Sequence, residues 1–154
     1  MIVYRASKNN YSDDLSGEGS RLAGGRWNSK GVPMVYTAEH KALCMFELAL
    51  HVSMDSIPTN YKIVKIEILH SASIKKISIK NLPSDWHVLP YSNSTQQIGN
   101  DFIKQNKELV SKVPSVVVSD SFNYLINPKH KDIGLVKIID KENLDLDSRI
   151  LKNR

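Results

Sequence analysis

Alternation of apolar and polar residues predicts several short β-strands along the chain. The clearest alternation covers residues 61–69, where Val64, Ile66 and Ile68 are separated by Lys65 and Glu67. A two-residue period is typical of a strand that buries one face. Shorter apolar or β-branched runs predict further strands at residues 2–5, 34–38, 74–79, 113–118 and 135–139, with an edge strand at 144–147.

Two segments have the pattern of helices. In residues 42–52, part of a predicted helix over 39–53, nine of eleven residues are apolar. A helix with so few polar positions is expected to be packed on most sides. Thr95 is placed to cap a second helix, which would run from residue 96 to about residue 110 with one apolar face.

The segment 6–33 is rich in Ser, Gly, Asn and Asp and is predicted to be long and irregular. Irregular segments of that length in a compact domain are usually functional or mobile. With 154 residues, the chain has the length of one domain with its own core. The pattern therefore predicts a single α+β domain over residues 1–154, with short-stranded sheets and two main helices.

The net charge of +5 narrows the classes of partner. The lysines are spread along the chain, and no arginine-rich stretch with interleaved aromatic residues is present. A nucleic-acid binder more often concentrates its charge on one element, so we expect a solvated basic surface and no direct nucleic-acid binding. An acidic protein partner and an anionic small ligand both remain open.

Signals for a membrane or an exported protein are missing from this sequence. No apolar run approaches the length of a bilayer span, and the N-terminal residues lack the basic and apolar regions of a signal peptide. The one cysteine, Cys44, excludes an internal disulfide and suits a reducing compartment. We therefore expect a cytoplasmic protein that does not associate with membranes.

Glu47 is the first candidate functional residue, because it is the one acid in the apolar run 42–52. A carboxylate that loses water there needs a cation or hydrogen bonds to compensate. On a helical wheel it falls just beside a stripe formed by Leu43, Phe46 and Leu50. A structural ion pair with an arginine is the alternative to a catalytic role, since ion-pair networks also place acids in cores.

Arg26 is the candidate cation, in the run Gly-Gly-Arg-Trp-Asn at residues 24–28. Glycines let the backbone approach a ligand, and the planar guanidinium suits phosphate or carboxylate. Arg21, five residues earlier, gives the same segment a second cation. The alternative is an arginine that stacks on Trp27 and binds no ligand, while Glu47 pairs structurally with Arg26 or Arg5.

Several other kinds of site are excluded by spacing. His40 and His51 lack the spacing of a helical zinc pair, and Cys44 has no companion, so no metal site is expected. Ser115 lacks nucleophile-elbow glycines, which leaves it as a hydrogen-bond donor to a ligand or to Glu47. Neither a P-loop nor a Rossmann glycine motif is present to hold a nucleotide.

Taken together, these segments resemble the RES domain, a family named for an arginine, a glutamate and a serine. The resemblance starts at Val-Tyr-Arg (3–5) and Gly-Gly-Arg-Trp-Asn (24–28), and continues through Val-Tyr-Thr-Ala (35–38) and the helix with Glu47. It goes on through Ser-Thr-Gln (94–96) with Gly99, Val-Pro-Ser-Val-Val (113–117), Asn-Tyr-Leu-Ile-Asn-Pro (123–128) and Asp-Ser-Arg-Ile (147–150). The order and spacing of these pieces over nearly the whole chain argue against chance agreement.

The resemblance implies a fold related to ADP-ribosyltransferases of the diphtheria-toxin type, with NAD as the substrate. RES proteins are typically toxins of bacterial type II toxin–antitoxin pairs, and they either destroy NAD or transfer its ADP-ribose to a protein. The implied partner is an Xre-like helix-turn-helix antitoxin that blocks the active site, and a homodimer within such a complex is left open. No metal is expected, and no cofactor beyond NAD as the substrate.

By this resemblance the catalytic residues are Glu47, Arg26 and Ser115. Cleavage of the nicotinamide–ribose bond builds positive charge on the ribose, which a fixed carboxylate such as Glu47 would stabilise. Arg26 would hold the diphosphate, and Ser115 would hydrogen-bond the ribose or the carboxamide. The residues implied to bind NAD are Arg26, Tyr36, Arg5, Arg21, Trp27 and Asn123.

Nothing in the sequence selects the acceptor of the ADP-ribose, so water, phosphate and a protein side chain all remain open. Two functions of other classes also remain. One is a non-enzymatic module whose pocket holds a nucleotide or an antitoxin tail. The other is a ribonuclease toxin that uses His51 or His87 with the basic surface.

Overall fold

The computed structural model describes residues 1–52 and 60–145. The predicted last helical residue, Ser53, lies outside the described residues, as do the end of the predicted edge strand and the segment 147–150. The strands are β1 (Ile2–Lys8), β2 (Val35–Ala38), β3 (Tyr61–Ile68), β4 (Ile74–Lys76), β5 (Val110–Pro114), β6 (Phe122–Ile126) and β7 (Val136–Asn143). The helices are α1 (Glu18–Ala23), α2 (Lys41–His51) and α3 (Asn93–Gln105).

The strands form one sheet in the order β4-β5-β6-β2-β1-β3-β7. Neighbouring strands are antiparallel except β4 and β5, which are parallel. Residues from many strands, among them Val3, Val35, Val64, Val110 and Ile126, form a single core cluster. One mixed sheet with few helices confirms the predicted α+β class.

The two longer helices cover different parts of the sheet. Leu43 and Cys44 of α2 pack against Ala38 and Ile63, which belong to β2 and β3. Phe102 of α3 packs in a second cluster with residues of β5 and β6 and of the segment before β2: Trp27, Met34, Val113 and Leu125. Three of the predicted polar residues lie on these elements: Tyr36 on β2, Glu47 on α2 and Asn123 on β6.

The prediction that α2 is packed on most sides was wrong. Phe46 and Leu50 are 58% and 65% exposed, whereas Leu43 and Cys44 are buried. The helix meets the sheet with one face only, so the predicted stripe of Leu43, Phe46 and Leu50 is not its buried face. Glu47 instead lies three residues after Cys44, on the side that faces the sheet.

The second helix begins and ends earlier than predicted. Ser92, not Thr95, is its N-cap, and the Ser92 hydroxyl accepts a hydrogen bond from the backbone N–H of Ser94. Asn106, with a φ of 51°, ends the helix in the left-handed conformation that asparagine tolerates well. Val110, predicted as the end of the helix, belongs to β5 together with Val113 and Pro114, which were predicted as the start of a strand.

Several strand boundaries also differ from the prediction. β1 runs on to Lys8 and α1 lies within 6–33, so that segment is less irregular than predicted. β4 ends at Lys76, and the predicted strand 113–118 stops at Pro114. β6 was not among the predicted strands, although it pairs with both β2 and β5. Leu144 and Asp145 are outside any strand.

Candidate active site

The Glu47 carboxylate is held by two side chains from distant parts of the chain. Its Oε1 accepts a 2.7 Å hydrogen bond from Asn123 Nδ2 and a 3.1 Å hydrogen bond from Ser115 Oγ. Ser115 directly follows β5 and Asn123 lies in β6, so the β5–β6 hairpin positions both donors. Among the described residues Glu47 forms no ion pair, which disagrees with the alternative of a structural pair with Arg26 or Arg5.

The Ser115 hydroxyl uses its hydrogen-bonding capacity within the protein. Ser115 is buried, and its Oγ accepts hydrogen bonds from the backbone N–H groups of Val117 at 3.0 Å and Val118 at 3.3 Å. A hydroxyl has one proton to donate, and here that proton goes to Glu47. Ser115 was predicted to donate either to a ligand or to Glu47, and in the structure it donates to Glu47.

The loop 24–28 is fixed by contacts on both sides of Arg26. The backbone N–H of Gly25 donates to the Asn28 carbonyl at 2.9 Å, and the Gly25 carbonyl accepts from Gln96 Nε2 at 2.9 Å. After Arg26, the backbone N–H of Trp27 donates to the Tyr36 hydroxyl at 3.0 Å. These hydrogen bonds leave the backbone of Arg26 little freedom.

Gly99 of α3 makes the close approach to this loop possible. A Cβ at position 99 would lie 1.8 Å from the backbone oxygen of Trp27, far inside any allowed contact. Trp27 is 2% exposed and packs with Met34 and Phe102. Its burial anchors the loop, and it leaves Trp27 little surface for the contact with NAD that the family resemblance implied.

The Arg26 side chain contacts the segment between β4 and α3. Its Nη1 donates to the carbonyl oxygens of Trp86 at 2.6 Å and Val88 at 3.2 Å, and its guanidinium carbon lies 5.1 Å from the centre of the Tyr91 ring. The aromatic neighbour is therefore Tyr91 and not Trp27. Burial lowers the pKa of Arg26, an effect opposed by Tyr91, Glu47 and Tyr36.

The other two arginines have different surroundings. Arg5 Nη1 donates to the Asp14 carbonyl, and burial lowers the pKa of Arg5 against the opposing charge of Asp14. Arg21 makes a forked pair with Glu18, at 2.7 Å from Nε and 2.6 Å from Nη2. This exposed pair raises the pKa of Arg21 and lowers that of Glu18. Arg5 reaches the site, whereas Arg21 does not.

Arg5, Arg26 and Glu47 line one cavity with a volume of about 830 Å³. That volume is within the range of small-molecule and cofactor pockets. Of the predicted site residues, its walls include Arg5, Arg26, Trp27, Tyr36, Glu47 and Asn123, but neither Ser115 nor Arg21. Gly17, Gly19, Ser20 and Gly24 also line it, so much of the segment 6–33 borders the cavity.

Tyr36, in β2, is one of the residues that line the cavity. Its hydroxyl donates to Asn28 Oδ1 at 2.6 Å while accepting from the backbone of Trp27. Burial raises the pKa of Tyr36 well above its usual value. The hydroxyl stays protonated and already has its partners, so any contact with a ligand would be made by the ring.

Sequence reasoning missed two cavity residues from the segment before α3, Leu89 and Tyr91. His51 and His87, which it named for a ribonuclease, also line the cavity. This segment has no periodic pattern, and the prediction left it as irregular. The available signal was two aromatic residues near prolines: Trp86 lies between Pro83 and Pro90, and Tyr91 directly follows Pro90. Aromatic residues near prolines do not indicate by themselves which part of the fold they contact.

The part of the chain that the structure describes contains no cluster of three or more His, Cys, Asp or Glu side chains able to hold a metal ion. None of its helices has both the length and the apolar character needed to cross a membrane. Cys44 lines the cavity, and burial raises its pKa to about 12, so it is a neutral thiol there.

Known proteins resemble this chain over most of its length. "Toxin Res" of Photorhabdus laumondii is 34% identical over 99% of this chain and 98% of its own. "Prs ADP-ribosylating toxin" of a Sphingobium species is 36% identical, covering 82% of this chain and 80% of its own. "Toxin Res" of Pseudomonas putida is 33% identical over 97% of this chain and 99% of its own.

A similar fold occurs in the crystal structure of the M. tuberculosis MbcT–MbcA toxin–antitoxin complex. The match has a TM-score of 0.77 at 20% identity and covers 93% of this chain and 83% of the other. At that identity the likeness supports the fold alone. The RES domain family model matches residues 2–147. With relatives above 30% identity over nearly its full length, the chain belongs to the RES domain family.

Proposed function

We propose that this protein is the toxin of a bacterial toxin–antitoxin pair and that it cleaves the nicotinamide–ribose bond of NAD. The observation that carries the proposal is the Glu47 carboxylate, fixed at one oxygen by Asn123 and Ser115 on the wall of a cavity with two arginines. The relatives named as toxins support the biological role. The predicted family supplies NAD as the substrate to test.

The geometry suits a reaction in which positive charge develops on a sugar. Both hydrogen bonds go to Oε1, and among the described residues Oε2 accepts none. A carboxylate that is already oriented needs no reorganisation when the ribose acquires oxocarbenium character. Glu47 would therefore stabilise the ribose cation through Oε2 while nicotinamide leaves with the electron pair of the broken bond.

The arginines suit the diphosphate of the same substrate. Arg26 uses Nη1 for the protein, and within the described residues its Nη2 and Nε donate no hydrogen bond. Those two nitrogens form the forked edge that matches a phosphate. Arg5 offers a second cation on the cavity wall. We expect Tyr36 to contribute its ring to the nicotinamide or ribose side.

Hydrolysis or phosphorolysis of NAD is the primary reaction we propose, with ADP-ribosylation of a specific protein as the alternative. The alternative is favoured by one relative, whose name is Prs ADP-ribosylating toxin. Incubation of the purified protein with NAD, followed by chromatography, separates these reactions. Free ADP-ribose indicates hydrolysis, a phosphorylated ADP-ribose formed only with added phosphate indicates phosphorolysis, and label on protein from a cell extract indicates transfer.

The same experiment tests the proposal against the other classes of function. A binding module would leave NAD intact, and a ribonuclease using His51 or His87 would degrade added RNA while NAD stays constant. Expression of the chain alone in bacteria should arrest growth. Loss of cellular NAD is expected with hydrolysis or phosphorolysis, and constant NAD pools would point to transfer or to RNA cleavage.

We also propose an antitoxin of the Xre-like helix-turn-helix type as the partner, which inhibits by occupying the cavity. The neighbour of known structure comes from a toxin–antitoxin complex, which supports a protein partner of this kind. The cavity wall combines Arg5 and Arg26 with the exposed side chains of Leu50, Leu89 and Val116. A tail with a carboxylate and an apolar side chain would fit both features.

Co-expression with the adjacent helix-turn-helix gene should give a complex that no longer binds NAD. The measured mass of that complex shows whether it contains a homodimer of this chain. A complex that binds NAD as tightly as the free protein would exclude inhibition by blocking of the cavity.

A further inference from the structure

The segment 86–91, here called the strap, crosses from the region of β4 to the start of α3. It is largely exposed: Leu89 is 73% and Val88 38% exposed. Trp86, at its start, packs against the core cluster that contains Trp27 and Phe102, while His87, Leu89 and Tyr91 line the cavity. The strap also contacts Arg26 directly.

That contact fixes the guanidinium in two ways. The Trp86 and Val88 carbonyls both accept from Nη1, so they hold one corner of the guanidinium group. The Tyr91 ring, 5.1 Å from the guanidinium carbon, attracts the cation through the negative face of the ring. A ring contact uses none of the N–H donors, so it restrains Arg26 without competing with a ligand for them.

We infer that Tyr91 is a positioning residue, through which the strap holds the Nη2–Nε edge of Arg26 ready for the anionic part of the ligand. The inference rests on the proposed function in one respect, because the ligand class it names is the diphosphate of NAD or ADP-ribose. The charge of Arg26 is available, since among the described residues no carboxylate forms an ion pair with it.

Holding Arg26 in place matters because the side chain is long. A free arginine has many rotamers, and binding would have to order it at a cost in entropy. The carbonyl groups of Trp86 and Val88 belong to the backbone and cannot be removed by side-chain substitution. Of the strap contacts to Arg26, the one made by a side chain is that of Tyr91, so Tyr91 variants test the positioning of Arg26 by the strap.

The test is the kinetics of NAD cleavage by Tyr91 variants. Tyr91→Ala should raise KM for NAD roughly 3- to 30-fold, the range expected for a lost cation–ring contact, with kcat within about twofold of wild type. Tyr91→Phe keeps the ring and should restore KM. Tyr91→Leu keeps apolar volume but not the ring, so it should behave like alanine. Tyr11→Ala, which removes an exposed tyrosine outside the cavity, is the matched control.

A second measurement separates this inference from the proposed reaction. In calorimetry with ADP-ribose, Tyr91→Ala and Arg26→Ala should each weaken binding, and the double variant should be no weaker than Arg26→Ala alone. Wild type that binds ADP-ribose in this Tyr91-dependent way but leaves NAD intact would overturn the reaction and keep the inference. Tyr91 variants with unchanged KM and unchanged ADP-ribose affinity would overturn the inference while the reaction stands. Additive effects in the double variant, or a protein that binds no ADP-ribose, would also overturn it.

Discussion

Replacement of Glu47 by glutamine removes the charge of the carboxylate and nearly keeps its shape. The amide oxygen of glutamine can take the place of Oε1 and still accept from Asn123 and Ser115. What is lost is the negative charge that would face the developing ribose cation. The substitution therefore distinguishes an electrostatic role in the reaction from a role in holding the fold together.

The effect on the rate can be bounded from the charge alone. Two unit charges about 4 Å apart interact by about 4 kcal/mol at an effective dielectric constant near 20. The charge that moves onto the ribose is partial, and NAD is already cationic at nicotinamide, so a differential effect of roughly 2–3 kcal/mol is expected. That corresponds to a fall in kcat of about 30- to 150-fold.

The effect on stability should be small by comparison. Hydrogen bonds to a charged group contribute about 1.5–3 kcal/mol and neutral ones about 0.5–1.5 kcal/mol, so two weakened bonds lose roughly 2 kcal/mol. Relief of the desolvated charge offsets part of this loss. A net loss below about 2 kcal/mol lowers the melting temperature by at most roughly 4–8 °C in a chain of this size.

The assay pairs initial rates of NAD loss with thermal melting of the same protein samples. Glu39→Gln is the matched control, because the Glu39 carboxylate also accepts a hydrogen bond at β6, from the Phe122 N–H at 2.8 Å, but lies outside the cavity. It should change the melting temperature without changing kcat. A folded Glu47→Gln protein with kcat within threefold of wild type would refute the electrostatic role, and an unfolded one would point to a structural role.

Three further outcomes follow from individual contacts. Ser115→Ala leaves two backbone N–H groups without their acceptor and should cost about 1–3 kcal/mol in the free energy of unfolding, measured by denaturant titration, with a roughly tenfold fall in kcat. Gly99→Ala should lower the melting temperature and weaken NAD binding, because its Cβ would lie 1.8 Å from the Trp27 oxygen, whereas Gly134→Ala meets nothing within 4 Å and should change neither. Burial raises the pKa of Cys44 from 9.0 to about 12, so the folded state favours the neutral thiol. The stability that this preference contributes is full below about pH 9 and is lost as the pH rises toward 12. In melting experiments at alkaline pH, Cys44→Ala should therefore lose less stability between pH 9 and 12 than wild type.

The sequence was sufficient to single out Glu47 as a candidate, because a single acid in an apolar run needs a physical explanation wherever the helix lies. It was not sufficient to identify the buried face of that helix. The wheel ranks Leu43, Phe46 and Leu50 together by hydrophobicity, whereas the sheet covers Leu43 and Cys44 and leaves the other two exposed. Which face is covered depends on strands far away in sequence, and a helical wheel has no information about them.

The cation side of the site was harder to predict for a related reason. Arg26 was identified from the glycines beside it, but its neighbours come from a segment 60 or more residues away with no periodicity. Arg21 looked equivalent to Arg26 in the sequence. A glutamate three residues earlier on the same short helix pairs with it and keeps it on the exposed surface. Local pairing decided between the two arginines.

The Glu47 carboxylate and the Arg26 guanidinium are held by different parts of the fold. Glu47 is tied to Ser115 and Asn123, on and beside strands that pair on both sides within the sheet. Arg26 is tied to the strap, in which Trp86 packs against the core but Val88 and Leu89 are exposed. Local opening free energies are lowest where few apolar contacts are buried. We therefore expect motion that admits or releases a ligand to begin at the exposed part of the strap, around Val88 and Leu89, while the Glu47 carboxylate keeps its position.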